Sequence, residues 1–294
     1  MRLRALAPAK LNLCLFLGGL RPDGRHELVT LFESLSLADE LVLTTLPGGD
    51  DEVVAGGVEG PNLVTHALAG LRAHDWAAPA VRIEIEKHVP VAAGMGGGSA
   101  DAAAALRMAH MLAPVSAAAV VELAAELGAD VPGQLEPGVA LGTGAGDRIE
   151  PLPALAEHAF VIVPLPFRLS TPDVYAEADR LGLTRGPDDL RLRLKELTAA
   201  LEPGALLPDS LLVNDLETAA ISLRSEISGA LEAVREAGAQ RALVCGSGPT
   251  VAGLFWGDHA GYRAERAAIA LHDRFPHATD AIPVDRDFGL PLVA

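Results

Sequence analysis

Apolar residues recur at short intervals through the first 50 positions, in four runs: Leu3 to Ala7, Leu11 to Leu17, Leu28 to Leu37 and Leu41 to Leu46. These predict strands, with Arg21-Pro22-Asp23-Gly24 as the turn between the second and third, so the chain should open on antiparallel sheet. From Asn62 to His74 the period lengthens: Leu63, Ala67, Leu68 and Leu71 fall at helical spacing, and Val81 to Glu86 then alternates apolar with charged as a half-buried strand does. A helix is predicted from Ser99 to about Leu112, with alanine at 100, 102, 103, 104, 105 and 109, which allows neighbouring backbone to pack close. The next runs from Ser116, a plausible N-cap, to Leu127, and stops at Gly128. Phe160 to Val163 reads as a short strand. Helices follow over Asp173 to Leu181, Leu190 to Leu201, Leu211 to Ala220 and Glu226 to Ala237. Strands Ala242 to Cys245 and Val251 to Trp256, a helix from Tyr262 to Phe275 and a strand near Ala281 to Val284 close the chain. Strand runs mixed with segregated helices indicate α+β layering rather than a regular βαβ wheel.

At 294 residues the chain exceeds the size at which one hydrophobic core usually stops growing. Two domains are expected, 1–153 and 154–294, divided by the proline-containing stretch Pro151 to Pro153. Half the residues are apolar, and only two Trp and two Tyr are present, so the cores must be built from Ala, Val and Leu. The formal net charge of −16 repels a polyanionic duplex, which argues against nucleic acid as a partner. An anionic substrate would then have to be met by local donors, with magnesium as the expected companion. Cys14 and Cys245 are far apart and show no ligand spacing, which fits reduced thiols in the cytoplasm. No run of 18 apolar residues suggests a membrane span.

The densest chemical signal is Pro90-Val91-Ala92-Ala93-Gly94-Met95-Gly96-Gly97-Gly98-Ser99-Ala100, where four glycines within five residues lead into a helix. Glycine reaches the positive φ angles that turn successive N–H groups into one concavity, and the helix adds its unpaired N–H groups and positive dipole end. An unliganded tight turn is the bland alternative. The register from Gly94 meets Ser99 where the dinucleotide fingerprint requires glycine, and no lysine lies between Lys87 and Lys195, which excludes a Walker loop. A second glycine turn, Gly246-Ser247-Gly248, separates the last two long apolar strands and reads as a hairpin or as a second anion-adapted patch.

Three polar positions stand out. Lys10 and Asn12 sit among apolar neighbours, and a charge there must be solvated at a strand end or paired with a carboxylate. Asp130 lies just past a helix terminator and before Pro132, where it either stabilises the turn or is aimed by it. Asp23, Arg25 and His26 form a polar loop, and no histidine spacing suggests zinc.

Taken in order, Pro8-Ala9-Lys10-Leu11-Asn12-Leu13, Pro90 through Ala100, and Gly246-Ser247-Gly248-Pro249-Thr250 resemble the three signatures of the GHMP kinase superfamily. Five further segments point to the branch that phosphorylates a cytidyl-linked methylerythritol: Arg21 to Leu28, Gly96 to Ala103, Leu127-Gly128-Ala129-Asp130-Val131-Pro132, Ser170-Thr171-Pro172 with Tyr175, and Asn214-Asp215-Leu216-Glu217.

The resemblance implies an α+β, two-domain GHMP-kinase-like fold with the active site in the cleft between domains. It implies transfer of the γ-phosphoryl of ATP to the 2-hydroxyl of that small molecule. Asp130 and Lys10 would be catalytic, Pro90 to Ala100 would wrap the ATP phosphates, and Ser99 would contact phosphate or Mg2+. Asn12, Arg25, His26, Tyr175, Gly246, Ser247 and Gly248 would bind the substrate. The family commonly has Tyr where Arg25 stands, and a guanidinium can replace an aromatic ring on a base plane. A monomer or weak homodimer is expected. The competing readings are a kinase of homoserine, mevalonate or a sugar, which should lack the Asp-Gly-Arg-His loop, and a non-catalytic nucleotide-binding relative, which should lack Lys10 or Asp130.

Overall fold

The structure is a computed structural model, and its described residues are 1–56 and 62–294. Two long strands, β1 (Arg2–Leu20) and β2 (His26–Thr45), form an antiparallel hairpin. Each unites two of the short strands predicted from the sequence. The polar interruptions do not break the ladder because they are taken up as register shifts, between Pro8 and Lys10 and again between Asn12 and Cys14. Such bulges bend a strand and re-aim its side chains.

Because β2 is 20 residues long it has two partners on one edge. Its first half, Thr30 to Glu33, pairs β5 (Val139–Thr143), and its second half, Glu40 to Thr45, pairs β4 (Val81–Glu86). A parallel edge strand β3 (Glu52–Ala55) joins β4, and β6 (Arg148–Leu152) joins β5. One face of this sheet is covered by α1 (Leu63–Ala73), α2 (Gly97–Leu112) and α3 (Ala117–Leu127) around a shared core. The alanines of α2 are fully buried there. Asn62 and Ser116 cap α1 and α3 through their side chains. A single turn of helix, α4 (Val131–Gln134), follows Asp130.

The second sheet is formed by β7 (His158–Val163), β8 (Arg241–Val244), β9 (Val251–Trp256) and β10 (Thr279–Ala281), in the order β10-β7-β9-β8, all antiparallel. Helices α5 (Thr171–Leu181), α6 (Pro187–Ala200), α7 (Glu217–Leu223), α8 (Glu226–Glu236) and α9 (Ala260–Leu271) complete this half. Leu11, Leu13 and Leu31 of the first sheet share a core with Phe160, Ile162 and Leu254 of the second. After a 3-10 turn at Arg286–Gly289, the last strand β11 (Leu292–Val293) returns to pair with β1. A cut at 153/154 therefore leaves one edge strand of the first sheet in the second segment.

The predicted helix from Leu211 to Ala220 begins only at Glu217. Upstream of it the backbone is drawn into extended pairing with β1: Leu15 N–H donates to the Val213 carbonyl, and Asp215 N–H to the Leu15 carbonyl. Tertiary hydrogen bonds there outweigh the helical spacing of the leucines. Among the described residues no helix is long and apolar enough to cross a membrane, and both cysteines are buried and free.

Candidate active site

A cleft of about 670 Å3 opens between the first sheet and the α2 loop on one side and α5 with the β8–β9 turn on the other. Lys10 and Asn12 stand two apart on β1, so alternation places both side chains on one face of the sheet. There Lys10 Nζ donates to Asn12 Oδ1 at 2.6 Å, Asn12 Nδ2 to Thr30 Oγ1 at 2.8 Å, and Thr30 Oγ1 to the Cys14 carbonyl at 2.7 Å. The whole relay is buried. Burying an ammonium without partners is too costly to persist, and the second partner of Lys10 is Asp130 Oδ2 at 3.8 Å. Of the two readings of Lys10, pairing is the one found. Asp130 stands at the N-cap position of α4 but its side chain makes no capping hydrogen bond, and half of it remains exposed toward the cleft. It is aimed by the turn rather than spent on holding it. Burial raises the Tyr175 pKa, and the neighbouring Asp130 carboxylate raises it further.

The glycine loop forms as the sequence requires. Ala92, Gly94 and Gly96 all have positive φ, 54°, 79° and 67°, and Gly96 is the N-cap of the 16-residue α2. The loop is held from below: Lys10 N–H donates to the Met95 carbonyl at 2.9 Å. A Cβ at Gly94 would collide with the Cys245 carbonyl oxygen, and one at Gly246 would lie 3.1 Å from the Gly94 carbonyl oxygen. The two glycine turns, some 150 positions apart, are thus in backbone contact, and only residues without side chains permit it. Asn214 secures the second turn, donating from Nδ2 to the carbonyls of Val244 at 2.8 Å and Gly246 at 2.7 Å. Ser247 Oγ lies 2.9 Å from Thr171 Oγ1 at the start of α5.

Not every residue expected in the site lines the cleft. Pro90 to Gly94, Gly96 to Ser99, Tyr175 and Gly246 to Gly248 do. The Met95 side chain is buried in the core between the sheets, and Ala100 is buried on α2 with its N–H donated to the Gly96 carbonyl, so neither lines the cleft. His26 is buried behind the wall, its Nε2 2.9 Å from Asp179 Oδ1 and its ring 5.2 Å from that of Tyr175. It supports the aromatic wall and does not itself line the cleft. Arg25 is exposed, with its guanidinium 3.3 Å from Asp23 Oδ2 and 3.4 Å from Asp147 Oδ2, outside the lining.

Other residues in the site were not singled out from the sequence. Lys87 lines the cleft beside the loop, its ammonium held between Asp39 and, at 2.7 Å, Asp101 Oδ2. Burial works against that charge, yet the two carboxylates outweigh it and raise the Lys87 pKa. The Asp101 pKa is raised as well, to about 7, by burial and the adjacent Asp39 against the pull of Lys87. A signal was available: the chain has only three lysines, and two of them line this cleft.

No cluster of three or more metal-ligating side chains occurs among the described residues. Ser99, in the first turn of α2, lines the cleft.

Comparison with known proteins bears on the same residues. The GHMP kinases N terminal domain profile matches residues 62–146, and the GHMP kinases C terminal profile matches residues 195–273. A 4-diphosphocytidyl-2-C-methyl-D-erythritol kinase of Nocardia farcinica is 45% identical over 84% of this chain and 83% of its own length. One of the same name from Cutibacterium acnes is 42% identical over 89% and 88%. A crystal structure of 4-(cytidine 5'-diphospho)-2C-methyl-D-erythritol kinase superposes with a TM-score of 0.73 at 34% identity, covering 96% of this chain and 99% of that one. Homoserine kinase from Cytophaga hutchinsonii shares the fold, at a TM-score of 0.69 with 17% identity, covering 100% of this chain and 97% of its own. With both domain profiles matched and relatives above 40% identity along most of its length, the chain belongs to the GHMP kinase family.

Proposed function

We propose that this enzyme transfers the γ-phosphoryl group of ATP to the 2-hydroxyl of 4-diphosphocytidyl-2-C-methyl-D-erythritol. The observation that carries the reading is the convergence of Lys10 and Asp130 at 3.8 Å in a cleft bounded by the glycine loop. Relatives at 42–45% identity that bear this enzyme's name support the choice of acceptor.

Phosphoryl transfer asks a protein mainly for alignment and for stabilisation of developing charge. The acceptor oxygen forms a bond to the γ-phosphorus as the bond to the β-bridging oxygen breaks, leaving ADP, and the hydroxyl proton passes to Asp130. Lys10, oriented by Asn12, places its ammonium beside both Asp130 and the transferring group. The loop from Pro90 to Ser99 receives the nucleotide phosphates on backbone N–H groups and on the positive end of α2. Ser99 would help to hold a Mg2+ ion brought in on ATP, which would supply neutralisation of phosphate charge. Tyr175, backed by His26, forms an aromatic wall for the base or ribose. Gly246 to Gly248 shape the opposite rim. For Arg25 to reach a cytosine plane, its guanidinium must leave Asp23 and Asp147. Residues 1–153 thereby furnish the phosphate loop, Lys10 and Asp130, while 154–294 furnish Tyr175 and the second turn.

The test is ADP release on mixing ATP with the cytidyl substrate, alongside homoserine and mevalonate as alternative acceptors, and 31P NMR of the product. Turnover with the cytidyl compound and a new phosphate ester on its tertiary carbon are expected. Turnover with another acceptor alone would overturn the reading.

A further inference from the structure

Asp130 has little to hold it where it stands. Its carboxylate caps nothing, and α4 is only four residues long, too short to be stable by itself. The buried Gln134 side chain, at the far end of that turn, has neither amide atom hydrogen-bonded. The tie is made instead to the Gln134 backbone, from Arg107 on α2. Arg107 Nη1 donates to the Gln134 carbonyl at 2.5 Å, Nη2 to the Leu6 carbonyl of β1 at 3.0 Å, and Nε to the Gly289 carbonyl at 2.9 Å. One planar group therefore bonds three separate stretches of chain, as only a guanidinium's fixed fork can. Leu6 is four residues before Lys10, and Gln134 is four residues after Asp130. Arg107 itself projects from the helix whose first turn ends the glycine loop. Burial is the cause that lowers its pKa, to about 10, and the three carbonyl dipoles are its compensation.

We propose that Arg107 is a positioning residue: by gripping Leu6 and Gln134 together it sets the separation between the strand that carries Lys10 and the turn that carries Asp130. The proposal rests on the reading of Asp130 as proton acceptor. A four-residue helical turn spans about 6 Å, so a carbonyl fixed at one end places the carboxylate at the other. Displacement of a reacting group by about 1 Å can cost on the order of 100-fold in rate.

The experiment uses the full-length enzyme with Arg107→Met, in the wild-type and Asp130→Asn backgrounds, reading kcat, both KM values and the melting curve. We expect kcat to fall about 10- to 100-fold with KM nearly unchanged, the pattern of lost transition-state alignment. In the Asp130→Asn background the same change should cost little more, whereas a general loss of stability would cost as much in either. Unchanged kcat, or losses that multiply, would overturn the proposal. If Arg107→Met fails to melt cooperatively, Gly289→Ala takes its place under the same two criteria. A Cβ there would stand 2.8 Å from Pro137 Cγ, 2.9 Å from Arg107 Nη2 and 3.2 Å from its Cζ, crowding the guanidinium and the chain just past Gln134 without removing Arg107. A crystal structure of whichever variant folds reads the proposal without any substrate. A Lys10–Asp130 contact lengthened beyond 3.8 Å supports it, and an unmoved one refutes it. Wild-type enzyme that is idle with the cytidyl substrate would sink the functional assignment and leave this structural criterion standing.

Discussion

Across three consecutive residues of β1, from Lys10 to Asn12, the first sheet carries two ion pairs of opposite character on its two faces. Lys10 and Asn12 point into the cleft, where the ammonium meets Asp130 at 3.8 Å and half the carboxylate is open to solvent. Leu11 lies between them and points the other way, and its cross-strand partner is Glu33. Cross-strand partners share a face. Between the sheets, Glu33 Oε1 meets His158 Nε2 at 2.7 Å with both side chains almost fully buried. His158 Nδ1 is 2.7 Å from the Ala156 carbonyl, which can only accept, so both ring nitrogens face acceptors. In the buried pair both ring nitrogens of His158 have acceptors while Glu33 Oε2 has no hydrogen-bond partner, and the pair fastens one sheet to the other. The cleft pair is longer and half its carboxylate is exposed, which leaves lone pairs free for the proton-accepting role proposed for Asp130.

The contrast is broken most severely from its buried side. Glu33→Ala leaves His158 without its carboxylate and should cost about 3–5 kcal/mol in denaturant unfolding, with near-normal kcat per folded molecule. A change in turnover without a change in stability would reverse the assignment of roles. On the cleft side, Asp130→Asn should lower turnover by at least about 100-fold while ATP binding and the melting temperature stay near wild type. Near-normal turnover would remove Asp130 as the base.

A smaller effect follows from pH. Burial disfavours the imidazolium of His158, but Glu33 and the Ala156 carbonyl outweigh it and raise the pKa above the ordinary 6.5. A raised pKa contributes its stability in full below about pH 6.5 and loses it as pH climbs through the folded-state value. The melting temperature of the wild type should therefore fall more than that of Glu33→Gln between about pH 6 and pH 9. Parallel curves would show that the pair does not titrate as a pair. The mildest perturbation is Arg25→Ala, which lies outside both pairs: a modest rise in KM for the cytidyl substrate is expected, with kcat and KM for ATP unchanged. An unchanged substrate KM would place Arg25 outside the site.

Much of this was legible in the chain, for reasons of locality. A glycine run before an alanine-rich helix specifies its own positive φ angles, and Ser116 with Gly128 bounds a helix by capping chemistry that acts within a few residues. The error at Leu211 to Glu217 has a complementary origin. Spacing there favours a helix, but β1 offers hydrogen-bond partners that the helical pattern cannot reveal. Asp215 likewise accepts from Leu17 N–H at 2.9 Å and from Arg185 at 2.5 Å and 2.8 Å, a strut built from three distant segments.

By itself the sequence determined the strand and helix periods, the glycine loop ahead of α2 and the presence of an amine at Lys10 and a carboxylate at Asp130. Only the tertiary structure decided that the two glycine turns touch, that Lys87 joins the cleft, that Arg25 stays outside its lining and that Arg107 braces the turn of Asp130. The reason is physical. Short-range steric and capping preferences act through a few bonds, whereas bringing Lys10 to Asp130 closes about 120 residues of chain. That entropic cost is met only by the folding of both sheets and their common core.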